Sequence, residues 1–181
     1  ARNGTGGEVF LTDTTNSFGS AVTLVSRLGD DSGFGDGDLN VAAAVSLPVA
    51  AATTTGDLTL TSDDFVFTGV LRGDASITLA NLTAGTDFFI GGTGVGIQLS
   101  AAELAFLDTD GGVQIGQADA GSFTIGGDGA VDLSGETWNR LALRGSDITF
   151  TNGLTLPDDA TASLVAISGG IDGSNPAADL T

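Results

Sequence analysis

The 181-residue chain contains no cysteine, methionine, histidine, lysine or tyrosine, one tryptophan, three prolines and only five basic residues, all of them arginine. Each absence closes off a class of chemistry. Without cysteine there are no disulfides and no thiolate metal sites. Without histidine, cysteine and lysine, the Ser-His, Cys-His and Ser-Lys pairs that activate a nucleophile cannot be assembled. No apolar run approaches the ~20 residues of a membrane-spanning helix; "LNVAAAVSLPVAAATTT" is interrupted by Ser46 and Pro48. Five basic against 23 acidic residues leave a net charge of −18. That field repels nucleic acid and anionic membrane surfaces and attracts cations, above all Ca²⁺.

What is present is 29 glycines, abundant Ala, Thr and Asp, and ten phenylalanines. This bulk composition, poor in oxidisable side chains, leans towards a secreted protein. The acids are scattered singly beside glycine, where turns lie, and read as a solvated surface. The opening "ARNGTGGEVFLTD" carries no signal-peptide pattern, so the chain reads as processed or as a piece of something longer.

Between the turn residues lie short apolar-polar-apolar segments: Val22-Thr23-Leu24, Leu58-Thr59-Leu60, Ile77-Thr78-Leu79, Ile97-Gln98-Leu99, Leu141-Ala142-Leu143, Ile148-Thr149-Phe150 and Leu154-Thr155-Leu156. Val113, Phe123 and Val131 open three more, and Phe65-Val66-Phe67 and Leu164-Val165-Ala166-Ile167 fit with an apolar centre. Period-two alternation marks half-buried strands. Grouped in threes, equivalent positions recur from Val113 to Leu141, Phe123 to Ile148 and Val131 to Leu154. Three short strands per repeat of about 25 residues predict a three-faced parallel β-solenoid of roughly six to eight coils, one domain over 1–181. A single coil cannot bury its apolar residues; stacking gives it a core. The general preference of parallel crossovers makes it right-handed.

Phe65, Phe67, Phe88, Phe123 and Phe150 are then interior stacks, and Trp138 in "ETWNR" a half-buried corner residue. "LNVAAAVSLPVAAATTT" reads as small-residue strands, because Pro48 and the Thr run oppose a helix. In "LSAAELAFLDTDGG", Ser100 and Glu103 spell a capping box; a single helical turn and a tight β-arc both fit.

Two loops could supply oxygens to calcium: "GDDSGFGDGD", with Asp30, Asp31, Asp36 and Asp38, and "LDTDGG", with Asp108 and Asp110. Neither matches an EF-hand or the Gly-Gly-x-Gly-x-Asp repeat; exposed acidic turns are the plainer reading. Arg72, Arg140 and Arg144 near Asp74 and Asp147 read as surface ion pairs. The pairs Thr59/Thr61 and Thr149/Thr151 are too few for an ice-binding face.

"NSFGSAVTLVS" and "GDLNVAAAVSLPVAAATTTGDLTLTS" resemble repeats of large secreted bacterial proteins of the filamentous-haemagglutinin type, as do "GIQLSAAELAFLDTDGGVQIGQADAGSFTIGG" and "LVAISGGIDGSNPAADLT". The resemblance implies a right-handed parallel β-helix exported by a bacterium with an outer membrane, as fibre or adhesin. The chain has no Asn-Pro-Asn-Gly secretion signature and no barrel of long membrane strands, so it corresponds to shaft. The expectation is a non-enzymatic structural subunit of an extracellular filament or surface appendage, polymerising with itself through β-edges and end-to-end contacts. An adhesin module binding polysaccharide or a host receptor is the alternative, and a carbohydrate-active β-helix enzyme the remote one.

Overall fold

Strands of three or four residues bounded by glycine and aspartate are too short for stable hairpins. The chain pairs them at long range instead. The computed structural model describes residues 9–11, 22–25, 39–42, 47–54 and 56–173. In chain order these form β1 (Val9–Leu11), β2 (Val22–Val25), β3 (Leu39–Ala42), β4 (Leu47–Thr54), β5 (Leu58–Thr61), β6 (Phe65–Phe67) and β7 (Leu71–Gly73). There follow β8 (Ser76–Ala80), β9 (Phe88–Ile90), β10 (Ile97–Leu99), the helical turn α1 (Ala101–Leu104), β11 (Leu107–Asp108) and β12 (Gly112–Ile115). The series ends with β13 (Phe123–Ile125), β14 (Val131–Asp132), β15 (Arg140–Gly145), β16 (Ile148–Phe150), β17 (Leu154–Thr155), β18 (Thr161–Ala166) and β19 (Ile171–Asp172).

Among the described residues every strand pairing is parallel. The protein is all-β with parallel sheets. A seven-stranded sheet runs β1-β3-β5-β8-β12-β15-β18; a second runs β10-β9-β13-β16-β19; a third runs β11-β7-β4-β2, with β6 also on β4; and β14 pairs β17. Consecutive segments are thus dealt to different sheets, and the chain returns to the first sheet after each circuit. The register makes the circuits unequal: Leu39 to Leu58 and Leu58 to Ile77 each span 19 residues, Ile77 to Val113 36, and Val113 to Leu141 28.

The equivalences expected from sequence are those observed, with Val113 paired to Leu141, Phe123 to Ile148 and Val131 to Leu154. One differs. The next circuit brings Ala162 onto Leu141, and Leu164 onto Leu143, because β18 begins at Thr161, before its apolar residues. The expected small-residue strands in "LNVAAAVSLPVAAATTT" are β3 and β4.

Alternation sends every second side chain inwards. Leu58, Ile77, Val113 and Leu141 form one buried column, and Leu60, Leu79, Ile115 and Leu143 another, each residue at most 1% exposed. In the second sheet Phe88 stacks flat on Phe123, with centroids 4.7 Å apart and planes 1° from parallel. All five phenylalanines expected inside are buried. Trp138, at 1% exposure, is fully interior rather than half-buried. Two glycines fix corners after inward strands. Gly116 and Gly126 have φ of 80° and 75°, the left-handed region that disfavours side chains, and a Cβ at either would strike Arg144 or Asn152 of the next circuit.

The capping-box spelling resolves as a helical turn: the Glu103 amide donates to Ser100 Oγ at 3.2 Å, and the Ser100 amide donates to Glu103 Oε2 at 3.0 Å. α1 lies within the 36-residue circuit and accounts for part of its length. Replacing Phe123 by Ala should cost about 3–5 kcal/mol in urea-induced unfolding, as large-to-small core changes do. Thr124→Ala, one residue on and facing outwards, should cost under about 1 kcal/mol.

Candidate functional site

The positions immediately before and after the strands carry most of the polar chemistry, and the parallel register stacks them. Asp87, Ser122, Asp147 and Gly170 each precede a strand of the second sheet and so lie one above another. The Ser122 amide donates to Asp87 Oδ1 at 2.7 Å; the Ser122 hydroxyl donates to Asp147 Oδ2 at 3.3 Å; the Gly170 amide donates to Asp147 Oδ1 at 3.2 Å. Before the first sheet, Ser76 donates its hydroxyl to Asp57 at 2.6 Å.

Asp63 is the most fully engaged. Its Oδ1 accepts from the amides of Leu82 and Thr83, both at 2.9 Å, and from Thr86 Oγ1 at 3.2 Å. Partial burial pushes this carboxyl up, but the hydrogen bonds from Thr83, Leu82 and Thr86 outweigh it and hold it below the usual carboxylate range. These acids therefore act as staples between successive circuits, where composition alone read them as solvated surface. A carboxylate is suited to the task because it accepts several bonds at once and draws strength from its charge.

Asp108 and Asp110 are brought together, around a cation the protein supplies itself. β11 lies on β7 with Asp108 opposite Arg72. Arg72 Nη1 meets Asp108 Oδ2 at 2.6 Å, Nε meets Asp74 Oδ1 at 2.7 Å, and Nη2 lies 3.7 Å from Asp110. Asp108 Oδ1 also accepts from Thr137 Oγ1 at 3.4 Å. The two hydrogen-bonded carboxylates raise the affinity of Arg72 for its proton. Of the expected ion pairs, Arg72 with Asp74 is present. Asp30, Asp31, Asp36 and Asp38 lie outside the described residues. Among the described residues no group of three His, Cys, Asp or Glu side chains is arranged to hold a metal ion.

A cleft of about 390 Å³ opens beside α1, walled by Gly91, Gly92, Thr93, Gln98, Glu103 and Asp128 among others. Sequence reasoning missed it, since its walls come from loops on neighbouring circuits. Its polar groups are largely spoken for: Glu103 closes the capping box, and Gln98 Nε2 donates to the Gly94 carbonyl at 2.9 Å. It holds no basic side chain and no paired acid and base. Trp138 Nε1 and Asn81 Oδ1 are buried without a hydrogen-bond partner.

Two pH effects of opposite sign follow from the titrating groups. Asp63 has a depressed pKa, so its contribution is present above the unfolded value of 3.8 and is lost as pH falls through the folded one. Asp63→Ala should be less stable than the parent at pH 7, with the gap narrowing at pH 3, as read by urea midpoints. Burial raises Glu136 above its ordinary 4.5, so its stabilising contribution exists below that value and disappears as pH rises. Glu136→Gln should accordingly be the more stable at pH 7 and equal to the parent at low pH. At the guanidinium, Arg72→Ala leaves three acids facing one another. Its melting temperature should fall, and millimolar CaCl₂ should restore more to this variant than it adds to the parent. No protein-family model, no curated protein and no solved structure matches the chain.

Proposed function

We propose that the chain is a right-handed, three-faced parallel β-solenoid serving as a structural shaft segment of an extracellular bacterial filament or surface appendage. The observation that carries this reading is the unbroken parallel register. Seven strands of one sheet stack in chain order, and each is reached only after excursions through other sheets. Seven windings at ~4.8 Å each make a rod some 30 Å long. Right-handedness follows from the preference of parallel crossovers, and the extracellular setting from composition and from the haemagglutinin-type resemblance of the repeats.

The chemistry favours a load-bearing role over catalysis. The sequence has no histidine, lysine or cysteine, and the carboxylates bridge circuits instead of converging on a cleft. A polysaccharide-docking face would want exposed Trp or Tyr. The only Trp is interior and there is no Tyr. Calcium, in this reading, screens repulsion between acidic rods and is drawn to the Asp30, Asp31, Asp36 and Asp38 stretch.

Negative-stain microscopy of the purified chain at high concentration, with and without calcium, should show filaments one rod wide. Monodisperse short particles under both conditions would overturn the assignment.

A further inference from the structure

The first sheet ends in a strand whose outer edge is chemically unlike the rest of the surface. Among the described residues β18 has a partner, β15, on one side only. Its Thr161 and Ile167 amides donate back to the carbonyls of Asn139 and Gly145. Amides alternate along a strand, so those of Ala162, Leu164 and Ala166 face the open side. Inward residues elsewhere donate in this direction: Leu71 to Phe106, Phe88 to Ser122, Phe123 to Asp147 and Ile148 to Gly170. In each case the acceptor is the carbonyl just before the partner residue.

The apolar columns also stop short here. The column through Leu58, Ile77, Val113 and Leu141 ends in exposed Ala162, and its neighbour ends in half-buried Leu164. In the second sheet Ile171 lies over fully buried Ile148 and is itself 52% exposed. Val165 and Ile167 are exposed beside them. Residues 160–171 contain no charged side chain, in a chain of net charge −18.

We propose that this edge docks the β1 strand of a second copy of the chain, joining copies head to tail; the proposal rests on the filament reading and names its contact. Two polyanions repel over most of their surfaces and approach most easily where neither is charged. β1, "VFL", is such a place, and it is the opposite edge of the same sheet, paired only with β3. Its register puts Val9 in the column of Leu39 and Leu58, and Leu11 in that of Val41 and Leu60. Those are the columns that end at Ala162 and Leu164. Laid over β18 with Val9 on Ala162, Phe10 on Ser163 and Leu11 on Leu164, a second copy extends both. The Leu164 amide then donates to the Phe10 carbonyl, and the Phe10 amide to the Ala162 carbonyl. Such a contact joins unlike edges, does not close on itself, and propagates.

The lack of cysteine makes the test direct. Phe10→Cys and Ser163→Cys variants, mixed and oxidised, should give a disulfide-linked heterodimer, since directly paired strand positions lie within bridging range. In the unmodified chain, the Leu164 and Ala166 amides should exchange at least roughly tenfold more slowly when concentrated than when dilute. Ser163→Cys linking to itself as efficiently as to Phe10→Cys would replace the contact with a tail-to-tail one and overturn the proposal. Slow exchange at both concentrations would also overturn it, by showing that the chain's own residues cover the edge. Filaments without the 10–163 link would overturn the contact and spare the filament reading. The absence of both would end both.

Discussion

Every feature of this protein depends on one constraint: a short strand buries its apolar side chains only if the neighbouring strand presents the same type at the same height. Parallel pairing in strict register meets that constraint, because residue i of one circuit always faces its counterpart in the next. The columns Leu58-Ile77-Val113-Leu141 and Leu60-Leu79-Ile115-Leu143 are its direct expression. A slip of one residue would turn each apolar position outwards. The register is therefore enforced at every circuit independently, and loop length is left free.

That freedom explains what could and could not be read from the sequence. Val113, Phe123 and Val131 could be matched to Leu141, Ile148 and Leu154 without a structure, because apolar-polar-apolar alternation survives wherever a strand must bury one face. Strands lacking that alternation escaped. β9 reads Phe-Phe-Ile, with no polar centre, because Phe89 packs over Gly94 on the outside instead of meeting water. β7 reads Leu-Arg-Gly, its inward residues being Leu71 and Gly73. The 36-residue circuit from Ile77 to Val113 was also hidden, since β10 folds back beside β9 and α1 intervenes. No fixed period spans that detour.

The candidate site was legible only as composition. Asp63, Asp87 and Asp147 each stand beside small polar or glycine residues, as any exposed turn acid does. Nothing local distinguishes a staple from a solvated carboxylate. The distinguishing fact is which residue lies one circuit away, and that follows only once the unequal circuits have been aligned. Asp108 and Asp110 illustrate the same gap. Two acids two residues apart suggest a calcium loop, but the register sets Arg72 of β7 directly against Asp108, and the guanidinium takes the place a cation would occupy.

The acid therefore has two separable roles set by geometry. At the corners, carboxylates accept amide and hydroxyl hydrogens from the next circuit, and each bond of this kind ties positions 19 to 35 residues apart in sequence. Such bonds reinforce register exactly where the strands are too short to hold it alone. Along the rest of the surface, like charges repel other copies and suppress lateral association of exposed strands. A uniform acidic coat would suppress axial association as well. Residues 160–171 lack charge, so the repulsion is weakest at the open edge of the first sheet. Charge placement thus biases contact towards the one direction in which the apolar columns can be continued.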